Sequence, residues 1–259
     1  MNRIATKFNE LRIAGKKAFI PYIMGGDPDL VNTELLLNLL AGAGADFIEV
    51  GVPFSDPLAD GAVIQQAGTR ALANGCSMEK LFLALRNVNR TLSTPIILMI
   101  YYNMIFQRGF ERFFEDIQTS GCAGLIIPDL PPEEAVKVRE MANRYEIGLN
   151  FLVALTSPEQ RLIQAAEVST GFLYAVSLKG VTGARANLPP ELPDFVKKIK
   201  ANTNKPVAVG FGISTPEQAK GIAAIADGVI IGSAIVKAAA SDPSFAAVRE
   251  LACKMREAI

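Results

Sequence analysis

Asp46-Phe47-Ile48-Glu49-Val50-Gly51-Val52-Pro53 is the stretch on which the fold turns. Alternation puts Phe47, Glu49 and Gly51 on one face and Ile48, Val50 and Val52 on the other. A sheet wet on one side would show a polar residue at every second position. Here both faces are apolar apart from Glu49, which predicts a parallel strand buried on both sides. Seven more runs rich in Val, Ile and Phe read the same way, at residues 18–25, 95–102, 124–129, 148–155, 171–178, 206–213 and 228–233.

Helix signals fill the intervals. Ser157-Pro158-Glu159-Gln160 and Thr215-Pro216-Glu217-Gln218 each offer a hydroxyl cap, a proline at the first helical position and a capping-box glutamine. Ser77 precedes a helix with Leu81, Leu85 and Val88 on one side, and Asp242-Pro243 is expected to open the terminal helix. No linker or low-complexity stretch interrupts residues 1–259. Eight strand–helix repeats in that length predict a single-domain α/β protein, a closed (β/α)₈ TIM barrel, with a doubly wound open sheet as the alternative.

Composition narrows the chemistry. Lysine plus arginine (26) balances aspartate plus glutamate (26), so no charge excess points to nucleic acid or an anionic membrane. Apolar runs end well short of a membrane span, and the first residues carry charges of both signs rather than a secretion signal; a cytoplasmic protein is expected. The cysteines, Cys76, Cys122 and Cys253, lack the paired spacing of a disulfide framework or zinc site. Histidine is absent. Ser-His-Asp and Cys-His hydrolases are thereby excluded, and proton transfer falls to carboxylates, lysine, tyrosine or water.

In a barrel, chemistry sits where strands end. The seventh run ends in Gly210-Phe211-Gly212 and the eighth in Gly232-Ser233 at a helix start. Glycines admit an anion close to the backbone, and a helix start offers unpaired N–H groups. A third loop, Gly180-Val181-Thr182-Gly183, follows the sixth run. A phosphorylated small molecule is the expected ligand. Glu49 is a lone carboxylate near the end of an apolar strand; burial would raise its pKa toward neutrality and suit it to shuttling a proton. Asp56 and Asp60 lie in the next loop, where either serves equally well as a turn residue, and spacing alone does not choose between them. Asp129 ends the fourth run, with helix capping as the competing role.

These segments resemble the tryptophan synthase alpha-subunit family along nearly the whole chain. The resemblance is carried by Phe19-Ile20-Pro21-Tyr22, Gly26-Asp27-Pro28-Asp29, Ile127-Pro128-Asp129-Leu130-Pro131, Gly180–Gly183, Gly210–Ser214 and Gly232–Lys237. Most specific is the run from Ile48 through Glu49-Val50-Gly51-Val52-Pro53-Phe54-Ser55-Asp56-Pro57-Leu58-Ala59-Asp60 to Gly61. It implies a lyase that splits indole-3-glycerol phosphate into indole and glyceraldehyde 3-phosphate for tryptophan biosynthesis, with Glu49 and Asp60 as the catalytic pair. It assigns the phosphate to backbone around Gly183, Gly212, Gly232 and Ser233. Tyr174 would line and order the site, and Tyr22, Ile64, Met99, Ile126 and Phe211 would form the indole pocket. It implies no metal or cofactor in this chain. The implied partner is a pyridoxal-phosphate-dependent beta subunit in a heterotetramer of two alpha and two beta chains, docked near residues 52–60 and 103–109. Two positions depart from the family pattern: Ala62 replaces a common proline, and Lys179 stands near a common arginine, placing loop closure and signalling to a partner in question. The competing readings are a free-standing lyase, a weakly active barrel that mainly activates its partner, or another phosphosugar barrel.

Overall fold

The computed structural model describes residues 2–177, 189–210 and 212–259. Its strands are β1 (Ala18–Met24), β2 (Ile48–Gly51), β3 (Ile96–Met99), β4 (Gly124–Ile126), β5 (Gly148–Leu149), β6 (Leu152–Ala154), β7 (Leu173–Val176), β8 (Val207–Gly210) and β9 (Gly228–Ile231). The helices are α1 (Arg3–Ile13), α2 (Leu30–Gly42), α3 (Ala62–Ala73), α4 (Met78–Val88), α5 (Tyr102–Arg108), α6 (Phe110–Thr119), α7 (Val136–Arg144), α8 (Glu159–Val168), α9 (Leu192–Ala201), α10 (Pro216–Ile225), α11 (Ser233–Ser241) and α12 (Ala246–Ala258). Every strand pair is parallel, in the order β5-β4-β3-β2-β1-β9-β8-β7-β6. The terminal members, β5 and β6, are consecutive in the chain, so the sheet closes on itself and the (β/α)₈ barrel expected from the repeats is the fold.

The one difference in strand count lies at that seam. The fifth apolar run is split at Asn150, whose side chain adds bonds beside its backbone bond to Leu125. Its amide donates to the carbonyls of Leu125 (3.2 Å) and Gly148 (3.4 Å), and its Oδ1 accepts from the Phe172 N–H (2.9 Å). One buried side chain thus ties the strands on both sides of the seam.

The lower end of the barrel is plugged. Ile4, Phe8 and Leu11 of α1 share one buried face at helical spacing. Ile4 packs against Gly124, Gly148 and Gly171, while the Phe8 ring stacks on Phe47 (4.9 Å) and meets Phe172 (5.4 Å). Apolar side chains therefore fill the barrel at this end.

The helix starts follow local chemistry. Thr215 and Gln218 form the expected capping box of α10, and Ser77 caps α4, whose Leu81, Leu85 and Val88 are buried. At α8 the expected cap fails: the Ser157 hydroxyl instead accepts from the Ala154 N–H (3.0 Å), and the helix begins without a side-chain cap. α12 begins three residues after Pro243, yet Asp242 still accepts from the Ala247 N–H (3.0 Å).

Replacing Asn150 by alanine strands the buried Phe172 N–H and removes the seam contact. We expect Asn150→Ala to lower the unfolding free energy by about 2 kcal/mol in a denaturant melt; an unchanged midpoint would show that the seam does not depend on this side chain.

Candidate active site

The C-terminal strand ends surround a cavity of about 440 Å³, counting its open mouth. β1 contributes Tyr22, β2 Glu49, β3 Met99 and β7 Tyr174. The loop after β2 adds Asp60 and Gly61, and α3 adds Ile64. Gly212 follows β8, while Ile230, Gly232 and Ser233 come from β9 and the start of α11. Register explains the convergence: Tyr22 stands opposite Glu49, and Gly51 opposite Met99, so these side chains share the inward face.

Two glycines make room for the tyrosines. A β-carbon on Gly51 would collide with the Tyr22 hydroxyl, and one on Gly210 would sit 2.5 Å from the Tyr174 hydroxyl. The sequence places glycine where a phenol must cross the barrel mouth.

Glu49 is 1% exposed, and neither carboxylate oxygen has a hydrogen-bond partner among the described residues. Burial, reinforced by the charge of Asp60, raises its pKa from 4.5 to about 8. Asp60 is also buried, and desolvation raises it from 3.8 to about 6, against the lowering effect of a hydrogen bond with Tyr101. Asp60 therefore ionises first, and its negative charge helps keep the proton on Glu49. Between pH 6 and 8 the site holds one carboxylate and one carboxylic acid. Burial also pushes the phenols of Tyr22 and Tyr174 well above their usual range, leaving both neutral.

The structure separates the loop aspartates. Asp56 is exposed, with its carbonyl accepting from Leu58, whereas Asp60 lines the cavity. Asp129 is exposed and accepts the Tyr102 N–H at 2.9 Å, holding the start of α5. The helical turn that follows it in sequence, Pro132–Glu134, has no side-chain cap. Ile126 is fully buried in the core, in register with Met99, and is not part of the cavity lining. Gly183 and Phe211 lie outside the described residues, as does Lys179.

Three residues at the site were not singled out from sequence. Gly61 and Ile230 line the cavity. Tyr101, packed against Phe54 at 5.2 Å, accepts the Ala59 N–H at 3.0 Å and bonds to Asp60, so it clamps the aspartate loop from both sides of the peptide link. An aromatic hydroxyl at the end of an otherwise aliphatic strand was the available signal.

The raised pKa of Glu49 has a stability consequence. The unfolded chain releases this proton above about pH 4.5, while the folded chain keeps it to about pH 8. Unfolding thus releases a proton across that window, and stability falls as pH rises through it. Relative to Glu49→Gln, the native chain should lose on the order of 1 kcal/mol per pH unit between these limits. Unfolding midpoints of both proteins measured from pH 5 to 8 check this; a constant gap would show that Glu49 is ionised at neutral pH.

Comparison with known proteins agrees with this architecture. The family model described as "Tryptophan synthase alpha chain" matches residues 8–258. The tryptophan synthase alpha chain of Picosynechococcus sp. is 46% identical over 263 residues, covering 100% of both chains. That of Geobacter sulfurreducens is 48% identical over 237 residues, covering 92% of this chain and 90% of its own. Among solved structures, tryptophan synthase from Mycobacterium tuberculosis superposes with a TM-score of 0.92 at 35% identity, covering 100% of this chain and 98% of the other. The alpha subunit from Legionella pneumophila gives 0.90 at 37% identity, with 100% and 98% coverage. Matched along its length in both sequence and fold, the chain belongs to the tryptophan synthase alpha chain family.

Proposed function

We propose that this chain cleaves indole-3-glycerol phosphate to indole and glyceraldehyde 3-phosphate, with Glu49 and Asp60 as its catalytic pair. The observation that carries the reading is the pair itself: two carboxylates on one cavity, held in opposite protonation states at neutral pH by unlike surroundings.

The phosphate binds at Gly212, Gly232 and Ser233, where α11 opens at the cavity with no side-chain cap among the described residues; Gly183 belongs to the same assignment. The indole ring lies among Tyr22, Ile64, Met99, Tyr174 and Ile230, apolar surfaces that match its faces.

Asp60, ionised, accepts from the ring N–H and drives electron density toward C3. Protonated Glu49 delivers its proton to C3, forming the indolenine as Asp60 takes the ring proton. Glu49, now a carboxylate, removes the proton from the adjacent glycerol hydroxyl. The C3–C1′ bond breaks, its electron pair returns to the ring, and the hydroxyl carbon becomes the aldehyde. Asp60 returns its proton to the ring nitrogen. The hydroxyl proton replaces the one given to C3, so both carboxylates end as they began.

Indole is uncharged and apolar, and a second enzyme that consumes it gains by docking at the mouth. Leu58 (84% exposed) and Phe106 (59%) leave apolar surface on the loop after β2 and on α5, and Val136 adds to it at the start of α7. The Ala59–Tyr101 and Tyr102–Asp129 bonds join these segments into one rim. We assign this rim to a pyridoxal-phosphate-dependent beta subunit, which holds that cofactor itself, in a complex of two alpha and two beta chains in the cytoplasm.

Glu49→Gln should fold and bind glycerol phosphate but release indole at least about 10³-fold more slowly, and Asp60→Asn should fall by about 10²-fold or more. Asp56→Asn should stay near the native rate in the same indole-release assay on the isolated chain; equal losses at Asp56 and Asp60 would remove the assignment. kcat/KM should trace a bell with limbs near pH 6 and pH 8, requiring Asp60 ionised and Glu49 protonated. Tyr101→Phe removes the bond that lowers Asp60, so its acid limb should move upward in pH; an unmoved limb would separate Tyr101 from the titration.

A further inference from the structure

The face opposite the catalytic cavity carries a charge imbalance that the reaction does not use. Strands β1, β9 and β8 are neighbours in the sheet, and Lys17, Asp227 and Pro206 immediately precede them. With α1, the turn after it and the end of α9, they enclose a groove of about 1570 Å³, counting its open mouth. Its charged lining is Arg12, Lys16, Lys17, Lys200 and Lys205 against the single carboxylate of Asp227.

That carboxylate is already occupied. Asp227 accepts from the Val207 N–H (2.9 Å), pairs with Lys200 at 2.9 Å and stands 3.7 Å from Lys17. Two of the other cations meet neutral acceptors. Arg12 donates to the Asn9 side-chain oxygen (2.8 Å), and the Lys205 ammonium to the main-chain carbonyls of Glu167 and Ser169. Burial lowers the Lys205 pKa, with Arg139 adding to the effect and Glu167 opposing it. In a chain with equal numbers of acidic and basic residues, so uneven a groove costs self-repulsion that a bound anion would relieve.

We propose that this groove is a second anion site, one that takes a chain of phosphates, either free or carried on a nucleoside. The cations come from α1, the following turn, α9 and the segment before β8, so they are spread along the groove rather than gathered at a point. Linked phosphates carry charge along their length, which suits cations drawn from four segments better than a single orthophosphate does. Asn9, Thr203 and Asn204 line the same groove and supply uncharged hydrogen-bonding groups between the cations.

Calorimetric titration of the full chain with inorganic tripolyphosphate and with ATP, at low and at moderate salt, tests this site. The charge-reversed double variant Arg12→Glu/Lys16→Glu leaves the Asp227 pairs intact and is far from the catalytic cavity. We expect saturable binding at one site per chain, weakened by salt, and weakened at least roughly tenfold in the double variant. The variant should remain folded, with indole release matching the native chain. ATP binding no better than tripolyphosphate would assign the phosphates alone as the ligand, and tighter ATP binding would assign a nucleotide. No saturable binding of either probe overturns the proposal. Equal affinity in the double variant also overturns it, by placing the anion in the catalytic phosphate loops instead.

Discussion

A carboxyl group removed from water and given no hydrogen-bond partner is costly to ionise, and Glu49 is held in that condition. The barrel imposes it from several directions. Strand register sets Glu49 between Tyr22 and Ile97, and the α1 plug of Ile4, Phe8 and Leu11 shuts off the lower end. Gly51 and Gly210 admit the neutral phenols of Tyr22 and Tyr174 to the mouth. The cheapest form of Glu49 in this setting is the acid, which is the form that donates a proton.

The second carboxylate needs the opposite treatment, and the loop after β2 provides it. Asp60 is less deeply buried and has Tyr101 as a hydrogen-bond partner, so it ionises at lower pH than Glu49. The clamp reaches further than one side chain. Tyr101 leads into α5, whose first N–H is held by Asp129, so the loops after β2, β3 and β4 are joined through three hydrogen-bonded groups. On the other side, Arg70 of α3 grips the buried Asp27 in the loop after β1 with two bonds of 2.8 and 2.7 Å. The loop that carries Asp60 thus stands between fixed supports.

Much of this was legible in the residues. Eight apolar runs alternating with helices pointed to a parallel barrel ahead of an open sheet, and Glu49 announced itself as a charge inside one of them. The glycines ending the last two strand runs pointed to the cavity rim, where Gly212 and Gly232 line the mouth. What escaped depended on contacts distant in sequence. Asn150 reads as an ordinary polar residue until Phe172 and Leu125 lie on either side of it. Tyr101 looks like the end of a strand until the Asp60 loop folds over it. The α1 plug was hidden by its charged outer face, although Ile4, Phe8 and Leu11 have helical spacing. Ser157 carried a good capping signal but met Ala154 first.

Burial, reinforced by the charge of Asp60, keeps Glu49 protonated at neutral pH in the resting chain. Carbon-13 NMR titration of glutamate-labelled protein reads this directly, with the Glu49 carboxyl resonance assigned by its loss in Glu49→Gln. The account predicts a midpoint near pH 8. A midpoint near the ordinary 4.5 would mean that the acid is ionised before substrate arrives, and the division of labour between the two carboxylates would fail.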